Sequence, residues 1–447
     1  MSILSREEAH ALTQRILGLS HADECRVSLT SGLQANTRFA DNGVTTSGDV
    51  TNDSVAVRSS FGRRSSTAST NILTDDGLRR AVETSERIAR LSPEDREWLP
   101  ELGPQQYRDV PAFFERTAGL DPSGRAEAAN VCIEAARRAS CTAAGFLTLA
   151  AGANAIANNK GLFAYHRSSA FAITNTVRTT DGTGSGWGGT AGNDWGLAQP
   201  SELAETAARK AQMSQNPTTV EPGRYTVVLE PTAVANLLQL MRFTLNARTA
   251  DEGRSFFSKR DGGNRIGEKI LDEHVTITSD PWDPELLAAP FAPDGQPNKR
   301  ITWWENGVLR NLTYDRYWAQ QKNVEPIGFP AGVKMQGGEG TIDDLVRSTE
   351  RGILVTRFWY IRSLDPRTML YTGLTRDGTF LIENGRISHP VKNFRFNESP
   401  IAMLRNLEAM GRAIRVSASE SGDIGAAIVI PPVKTRDFNF QSISDAV

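Results

Sequence analysis

Residues 380–411 read FLIENGRISHPVKNFRFNESPIAMLRNLEAMG, and this stretch indicates the fold better than any other part of the chain. It begins with an apolar strand, and the dipeptide Asn384-Gly385 supplies the positive φ that a two-residue hairpin turn requires. A returning strand follows. A helix with one apolar face is then predicted from three residues at helical spacing, Leu404, Leu407 and Met410. The stretch therefore predicts a hairpin packed against a helix, and it contains no evident catalytic group.

Length and composition predict an ordinary globular protein. The 447 residues are enough for about three domains. Hydrophobic residues make up 39% of the chain and charged residues 23%, and 50 basic residues against 52 acidic ones leave a net charge of −2. There is no long run of either sign, so the charge pattern argues against a dedicated binder of nucleic acids or membrane surfaces.

Cysteine usage and hydropathy predict the compartment. Cys25, Cys132 and Cys141 are an odd number and lack metal-ligand spacing, which is typical of buried thiols in a reducing environment. The sequence has no signal-peptide core at its start and no stretch of 18 apolar residues. We therefore expect a soluble, cytoplasmic protein.

Helix and strand signals divide the chain into three parts. Residues 1–92 read as an N-terminal α/β unit, in which Ser5 and Glu8 cap the first helix and Thr74 caps the last. Residues 112–216 repeat this layout as a second α/β unit. Residues 222–447 form a β-rich C-terminal domain of short alternating segments. The fold class is thus predicted as α+β, with two N-terminal α/β units followed by a β-rich domain.

The glycine-rich run at 182–189 superficially resembles a phosphate-binding loop. Such a loop needs an immediate helix whose N-terminus meets the phosphate, and residues 190–199 show no helical periodicity. The run is therefore predicted to be an irregular connection between elements.

The hairpin sequence at 380–411 closely resembles the C-terminal signature of the TldD/PmbA (TldE) family of zinc-dependent peptide proteases. Weaker similarities are the Asn-Asn-Lys-Gly turn at 158–161 and the strand GRYTVVLEP at 223–231. The order of the three parts also resembles that family's architecture, so the resemblance spans nearly the whole chain. It implies that the helix after the VVLEP strand is where a zinc-bearing member carries His-Glu-x-x-x-His, with two metal ligands and a general base.

In this chain the resemblance places Gln239, Leu240 and Thr244 at those three positions. Glutamine is a poor zinc ligand, leucine cannot accept a proton, and no two of the five histidines lie within five residues of each other. Glu273 and His274 are predicted to be strand neighbours that point to opposite faces. We therefore expect no catalytic residue, no metal and no cofactor in this chain, and zinc in a partner subunit.

The catalytic chains of the family also carry a late cysteine near the metal, and the resemblance extends to that stretch of this chain. No cysteine follows Cys141 here. Three serines occupy the stretch instead, in a predicted loop: Ser417, Ser419 and Ser421.

Residues 357–362 and 371–378 form a cluster of aromatic and basic side chains. Strand alternation predicts two faces, Phe358, Tyr360 and Arg362 on one and Arg357, Trp359 and Ile361 on the other. Large aromatic residues and arginine are enriched where proteins bind partners, although aromatic residues also fill cores. We select Trp359, Tyr360 and Arg376 as contacts to a peptide or a partner.

The resemblance implies a non-catalytic, TldE/PmbA-like subunit of a zinc peptide protease. Its partner would be a TldD-like zinc-bearing subunit in a heterodimer, or a second copy in a homodimer, and its substrate an unfolded or modified peptide. No nucleic acid or membrane partner is expected. Two alternatives stay open: a homodimeric peptide-binding or scaffold protein without protease activity, and an enzyme with an unrelated serine- or carboxylate-based site.

Overall fold

The computed structural model describes residues 3–419, 424 and 427–445, and every structural statement below concerns these residues. Helix α1 (Arg6–Leu17) begins at the predicted capping box, because Ser5 accepts from the Glu8 amide and Glu8 accepts from the Ser5 amide. The elements that follow, up to residue 213, are β1 (Glu24–Ala40), β2 (Gly43–Phe61), β3 (Arg64–Thr70), α2 (Asp75–Leu91), α3 (Glu115–Ala118), α4 (Pro122–Arg138), β4 (Cys141–Asn158), β5 (Phe163–Thr179), β6 (Ser185–Gly192), a 3₁₀ turn (Trp195–Leu197) and α5 (Pro200–Met213).

The two N-terminal units share one sheet. Its strand order is β3-β2-β1-β4-β5-β6, and antiparallel pairing of β1 with β4 joins the units. Helices α1 and α2 pack on the apolar residues of β1 and β2, while α4 and α5 pack on those of β4 and β5. Side chains alternate across a strand, so the other face of the sheet is left for the rest of the chain.

Several expectations about these strands are wrong. The alternating pattern predicts separate strands at 25–30 and 33–40, and again at 144–151 and 154–158, but β1 and β4 run unbroken through Gly32 and Gly152, which lie opposite each other. A Cβ on Gly32 would lie 2.7 Å from the carbonyl oxygen of Ala151, so glycine permits the close pairing. The glycine-rich run is also not an irregular connection: its second half is β6, on which α5 packs. A Cβ on Gly186 would lie 2.1 Å from the carbonyl oxygen of Ala207 in α5.

The C-terminal part contains a closed β-barrel. Strand β7 (Gly223–Leu229) leads into α6 (Pro231–Phe243), and the barrel's remaining strands come much later in the chain. The other elements are α7 (Ala247–Asp251), β8 (Ile277–Ser279), β9 (Ile301–Glu305), β10 (Val308–Leu309), α8 (Arg316–Lys322), β11 (Val333–Met335), α9 (Ile342–Arg347), β12 (Arg351–Asp365), β13 (Leu370–Glu383), β14 (Arg386–Pro390), β15 (Asn393–Glu398), α10 (Pro400–Arg405), β16 (Leu407–Met410), β17 (Ile414–Val416), β18 (Ile428–Ile430) and β19 (Val433–Ser444).

Strand pairing closes the barrel in the order β12-β7-β19-β15-β13, and β13 pairs back to β12. Its interior is aromatic, with contacts among the buried rings of Phe358, Phe394, Phe396, Phe438 and Phe440. A second sheet of order β10-β9-β8-β11-β18-β17 lies alongside. The α+β class and the β-rich C-terminal domain are therefore confirmed.

The hairpin predicted at Asn384-Gly385 is present, but the helix after it is shorter than predicted. Asn384 and Gly385 have φ values of 54° and 74° and join β13 to β14. The apolar face predicted across Leu404, Leu407 and Met410 is wrong, because α10 ends at Arg405. Leu407 and Met410 belong to β16, which pairs with β19. Tertiary strand pairing overrides the local helical spacing here.

Within the described part of the chain, no helix is long and apolar enough to cross a membrane.

Candidate functional site

Helix α6 and its C-cap carry the three positions that the family resemblance assigns to two metal ligands and a general base. The Gln239 side-chain amide donates to the carbonyl oxygen of Ala418 at 2.9 Å, and Leu240 packs against the large core of the C-terminal domain. Thr244 lies directly after the helix, which ends at Phe243, and its hydroxyl donates to the carbonyl oxygen of Met241 at 2.7 Å. All three side chains are engaged in packing or in hydrogen bonds within the protein.

These residues do not fit a zinc ion. The described ranges contain no group of three or more His, Cys, Asp or Glu residues that could hold a metal. His274 is not on a strand as predicted: it lies in an exposed turn, where its Nδ1 is 2.7 Å from Asp272 Oδ1. Ser417 is buried and precedes Ala418, whose carbonyl oxygen accepts from Asn236 and Gln239 of α6, and Ser421 lies outside the described residues.

Of the three predicted contact residues, Trp359 and Arg376 lie together and Tyr360 lies apart from them. Trp359 and Arg376 lie on neighbouring strands, and the Arg376 guanidinium is 5.0 Å from the centroid of the Trp359 indole. Tyr360 does not join them. It has a φ of 52° at a register shift in β12, and its side chain is exposed beside Arg362. The predicted strict alternation is wrong here, because a β-bulge re-aims the side chains around it.

Trp359 and Arg376 line a cavity of about 530 Å³ between the N-terminal sheet and the barrel. The floor is the sheet face opposite the helices, with Thr174, Thr176 and Arg178 of β5 and Arg38 of β1. The wall consists of β12 and β13. Four arginines line the cavity, two from each side: Arg38, Arg178, Arg357 and Arg376.

Buried charge on the wall side is only partly compensated. The buried carboxylate of Asp377 accepts a hydrogen bond from the Ser185 hydroxyl at 2.5 Å. Its other oxygen is 2.8 Å from Arg357 Nε, but the two groups are not aligned for a hydrogen bond. Burial lowers the pKa of Arg376; Asp377 opposes that shift, and nearby Arg178 and Arg357 add to it.

A second, larger groove of about 610 Å³ lies between α5 and the C-terminal domain. Its lining includes the ion pair between Lys210 and Glu230, the residue that precedes α6. Exposed apolar side chains of Leu197, Met213 and Ile414 also line it. The groove is lined by both apolar and charged side chains, whereas the cavity beside Trp359 is lined by four arginines.

The sequence interpretation selected only two of the residues around the cavity. Arg38 and Arg178 lie 140 positions apart in sequence, and only the pairing of β1 with β4 and of β4 with β5 brings them to one face. Trp187 was assigned to an irregular loop, although it lies on β6 beneath the Arg357 guanidinium, at 5.0 Å. No signal in the sequence connects these positions.

Family matches across the three parts of the fold define a relative of metallopeptidases. Residues 25–89, 116–215 and 222–442 match the first domain, the central domain and the C-terminal domain of the PmbA/TldA metallopeptidases. The chain belongs to the PmbA/TldD metallopeptidase family, as the resemblance implied.

Individual relatives are distant. A "Metalloprotease" of Methanothermobacter thermautotrophicus is 23% identical over 53% of this chain, and the matched part spans about half, 54%, of that protein. The "Metalloprotease PmbA" of Escherichia coli O157:H7 is 22% identical over 90% of both chains. The crystal structure of TldE from Thermococcus kodakarensis has the same fold, with a TM-score of 0.84 at 18% identity over 97% of this chain and 99% of that one.

Proposed function

We propose that this chain is the non-catalytic subunit of a TldD/TldE-type zinc peptide protease. The observation that carries the proposal is the chemistry of α6, where Gln239, Leu240 and Thr244 occupy the positions at which zinc-bearing relatives would hold metal and base. Amide, alkyl and hydroxyl groups supply neither two strong ligands nor a proton acceptor. Because the Gln239 amide is bonded to Ala418, metal binding would also break an existing contact.

In this proposal a TldD-like partner supplies the zinc, and this chain completes the chamber in which an unfolded or modified peptide is held. The groove beside α5 offers apolar and charged groups to a peptide chain. A free strand edge would add main-chain hydrogen bonds with little regard for sequence. A homodimer would form when the partner is missing. The interface should exceed the roughly 1,000 Å² expected of a biological contact.

A cytoplasmic location is part of the same proposal. The three cysteines are free and buried, and burial raises the pKa of the Cys132 thiol to about 12, which makes it unreactive. Fractionation of the native host tests the location: recovery of the chain outside the cytoplasmic fraction would contradict it.

Zinc content tests the proposal directly. The purified chain is dialysed against a chelator, returned to buffer with equimolar zinc, desalted and subjected to elemental analysis. A zinc-bearing relative treated in the same way is the control. We expect far less than one zinc per chain, because the ligands are missing. About one tightly held zinc per chain would overturn the proposal.

The same positions predict the outcome of an attempted restoration. The triple change Gln239→His, Leu240→Glu and Thr244→His should give weak zinc binding and no peptide cleavage. Helix α6 ends before residue 244, and a metal-binding imidazole needs a partner that holds its other ring nitrogen, which three substitutions do not add. Calorimetric titration with zinc measures the first part and mass spectrometry of peptide products the second. Efficient cleavage by this variant alone would contradict the reasoning.

A further inference from the structure

The C-terminal end of helix α6 combines a buried charge with an exposed aromatic surface. The side chain of Arg242 is only 9% exposed. Its guanidinium carbon lies 5.3 Å from the centroid of the Phe243 ring and 5.0 Å from that of Phe329, and the two rings stack on each other at 5.3 Å. We call these three residues the α6-end cluster. None of them lines the cavity beside Trp359 or the groove beside α5.

The charge of Arg242 has no counter-ion within the described part of the chain. Three arginines are buried there, and the other two each have a carboxylate. Arg125 pairs with Asp49, and Arg357 lies 2.8 Å from Asp377. The Nε and Nη1 atoms of Arg242 are buried without a hydrogen bond, and burial lowers its pKa to about 10 with no described carboxylate opposing the shift. A buried charge without a partner is costly, so the chain alone leaves this group unsatisfied.

The exposed rings are exceptional in this protein. All 18 phenylalanines lie within the described ranges, and only Phe243 and Phe329, at 63% and 49%, have exposed side chains. Single exposed apolar side chains are common on any protein surface. Here the two exposed rings lie together against an arginine, and aromatic residues with arginine are the composition that is enriched in the core of protein interfaces.

We propose that the α6-end cluster is a docking point for the zinc-bearing partner subunit, which supplies a carboxylate to Arg242 and an apolar side chain to the two rings. This inference rests on the proposed subunit function and adds the surface at which the partner binds. A carboxylate matches a guanidinium in charge and in geometry. The part of the Arg242 side chain that remains exposed allows such a group to reach it. Docking would supply the missing counter-ion and remove both rings from water.

The two ends of α6 have different surroundings, which favours a folded partner over the peptide as the occupant. Glu230, Pro231 and Thr232 at the beginning of the helix line the groove beside α5, which the proposed function assigns to the peptide. Arg242 lies 11 residues after Pro231, and at 1.5 Å per residue this is about 17 Å along the helix. The α6-end cluster therefore lies away from that groove and is available to a second protein.

Binding of the zinc-bearing relative from the same organism to variants of the full-length chain tests the inference. The test variants are Arg242→Met, which removes the charge, and Phe329→Ser, which removes one ring. The matched controls are Arg87→Met and Leu91→Ser, which change an exposed arginine and an exposed apolar residue of α2. Calorimetry measures the affinity. The melting temperature of each variant alone is measured after dilution to the point at which light scattering shows a monomer.

We expect each test variant to bind the relative at least about tenfold more weakly, and each control variant to bind as the unmodified chain does. The melting temperature of Arg242→Met alone should stay the same or rise, because the substitution removes a buried charge that has no partner. Loss of affinity without loss of stability distinguishes a docking residue from one that only supports the fold. Hydrogen exchange should show new protection, in the complex, of the segments that contain Phe243 and Phe329.

Four results would overturn the inference: test variants that bind the relative as tightly as the controls do, a lower melting temperature of Arg242→Met, loss of self-association alone, or weaker binding of an unstructured peptide with unchanged assembly. The last two would make the cluster a homodimer contact or a peptide site. Failure of the proposed function would appear separately. If the unmodified chain and the test variants assemble equally well and support cleavage, only the docking point is refuted. If the unmodified chain forms no complex, the subunit assignment fails, and the docking point with it.

Discussion

Replacing Gly385 by alanine should destabilise the C-terminal domain for two separable reasons. The residue has a φ of 74°, where a side chain costs about 1–2 kcal/mol. A Cβ there would also lie 2.6 Å from the carbonyl oxygen of Arg347, the last residue of α9, and relieving such an overlap costs about 1–3 kcal/mol. Loss of glycine's freedom in the unfolded chain offsets roughly 0.4–1 kcal/mol of this. The net loss in unfolding free energy should be about 2–4 kcal/mol.

Scanning calorimetry is the suitable assay, because a chain with several domains need not unfold in one transition. At roughly 2–4 °C per kcal/mol, the transition of the C-terminal domain should fall by about 4–16 °C. Gly62→Ala is the matched control: its φ is 55°, but no atom lies within 4 Å of the added Cβ. That variant carries the strain without the overlap and should lose about 1 kcal/mol. Equal shifts in the two variants would refute the contact between the hairpin turn and α9.

Three further predictions concern packing, pH and assembly. Gly186→Ala should lower the melting temperature by several degrees, because the added Cβ would meet α5, while Gly103→Ala, with nothing within 4 Å, should leave it unchanged. Burial lowers the pKa of His166 to about 4. Between pH 6.5 and 4 this histidine is therefore protonated in the unfolded chain and neutral in the folded chain. Stability should therefore fall between pH 6.5 and 4, by up to about 3 kcal/mol, and His166→Gln should flatten that slope in urea titrations. Light scattering should find the isolated chain dimeric at micromolar concentration; a monomer that also fails to bind a zinc-bearing relative would contradict the subunit assignment.

The sequence predicted correctly those helix caps and turns that are formed by residues close together in the chain. The Ser5 capping box, the Thr74 cap and the Asn384-Gly385 turn all depend on residues within a few positions of each other. Sequence interpretation failed where glycine serves a distant neighbour. The glycines of β6 make room for α5, and Gly32 makes room for β4, so a composition typical of loops forms strands instead.

The candidate site was predictable only in part, for the same reason. Residue type alone selected Trp359 and Arg376, since aromatic residues and arginine are favoured at binding surfaces. Tyr360 was selected on the same ground, but a bulge turns it away from the pair. Arg38 and Arg178 carry no local signal. They meet the barrel arginines only because one face of the N-terminal sheet packs towards β12 and β13.

Peptide cleavage by mixed chains tests the proposed role most directly. This chain and a relative that carries His-Glu-x-x-x-His are assayed separately and together on an unstructured peptide, with chelator added to a parallel sample. A non-catalytic subunit should give no cleavage alone and should raise cleavage by the relative well above the relative's own rate, in a chelator-sensitive manner. Cleavage by this chain alone, or a mixture no more active than the relative by itself, would contradict the proposed function.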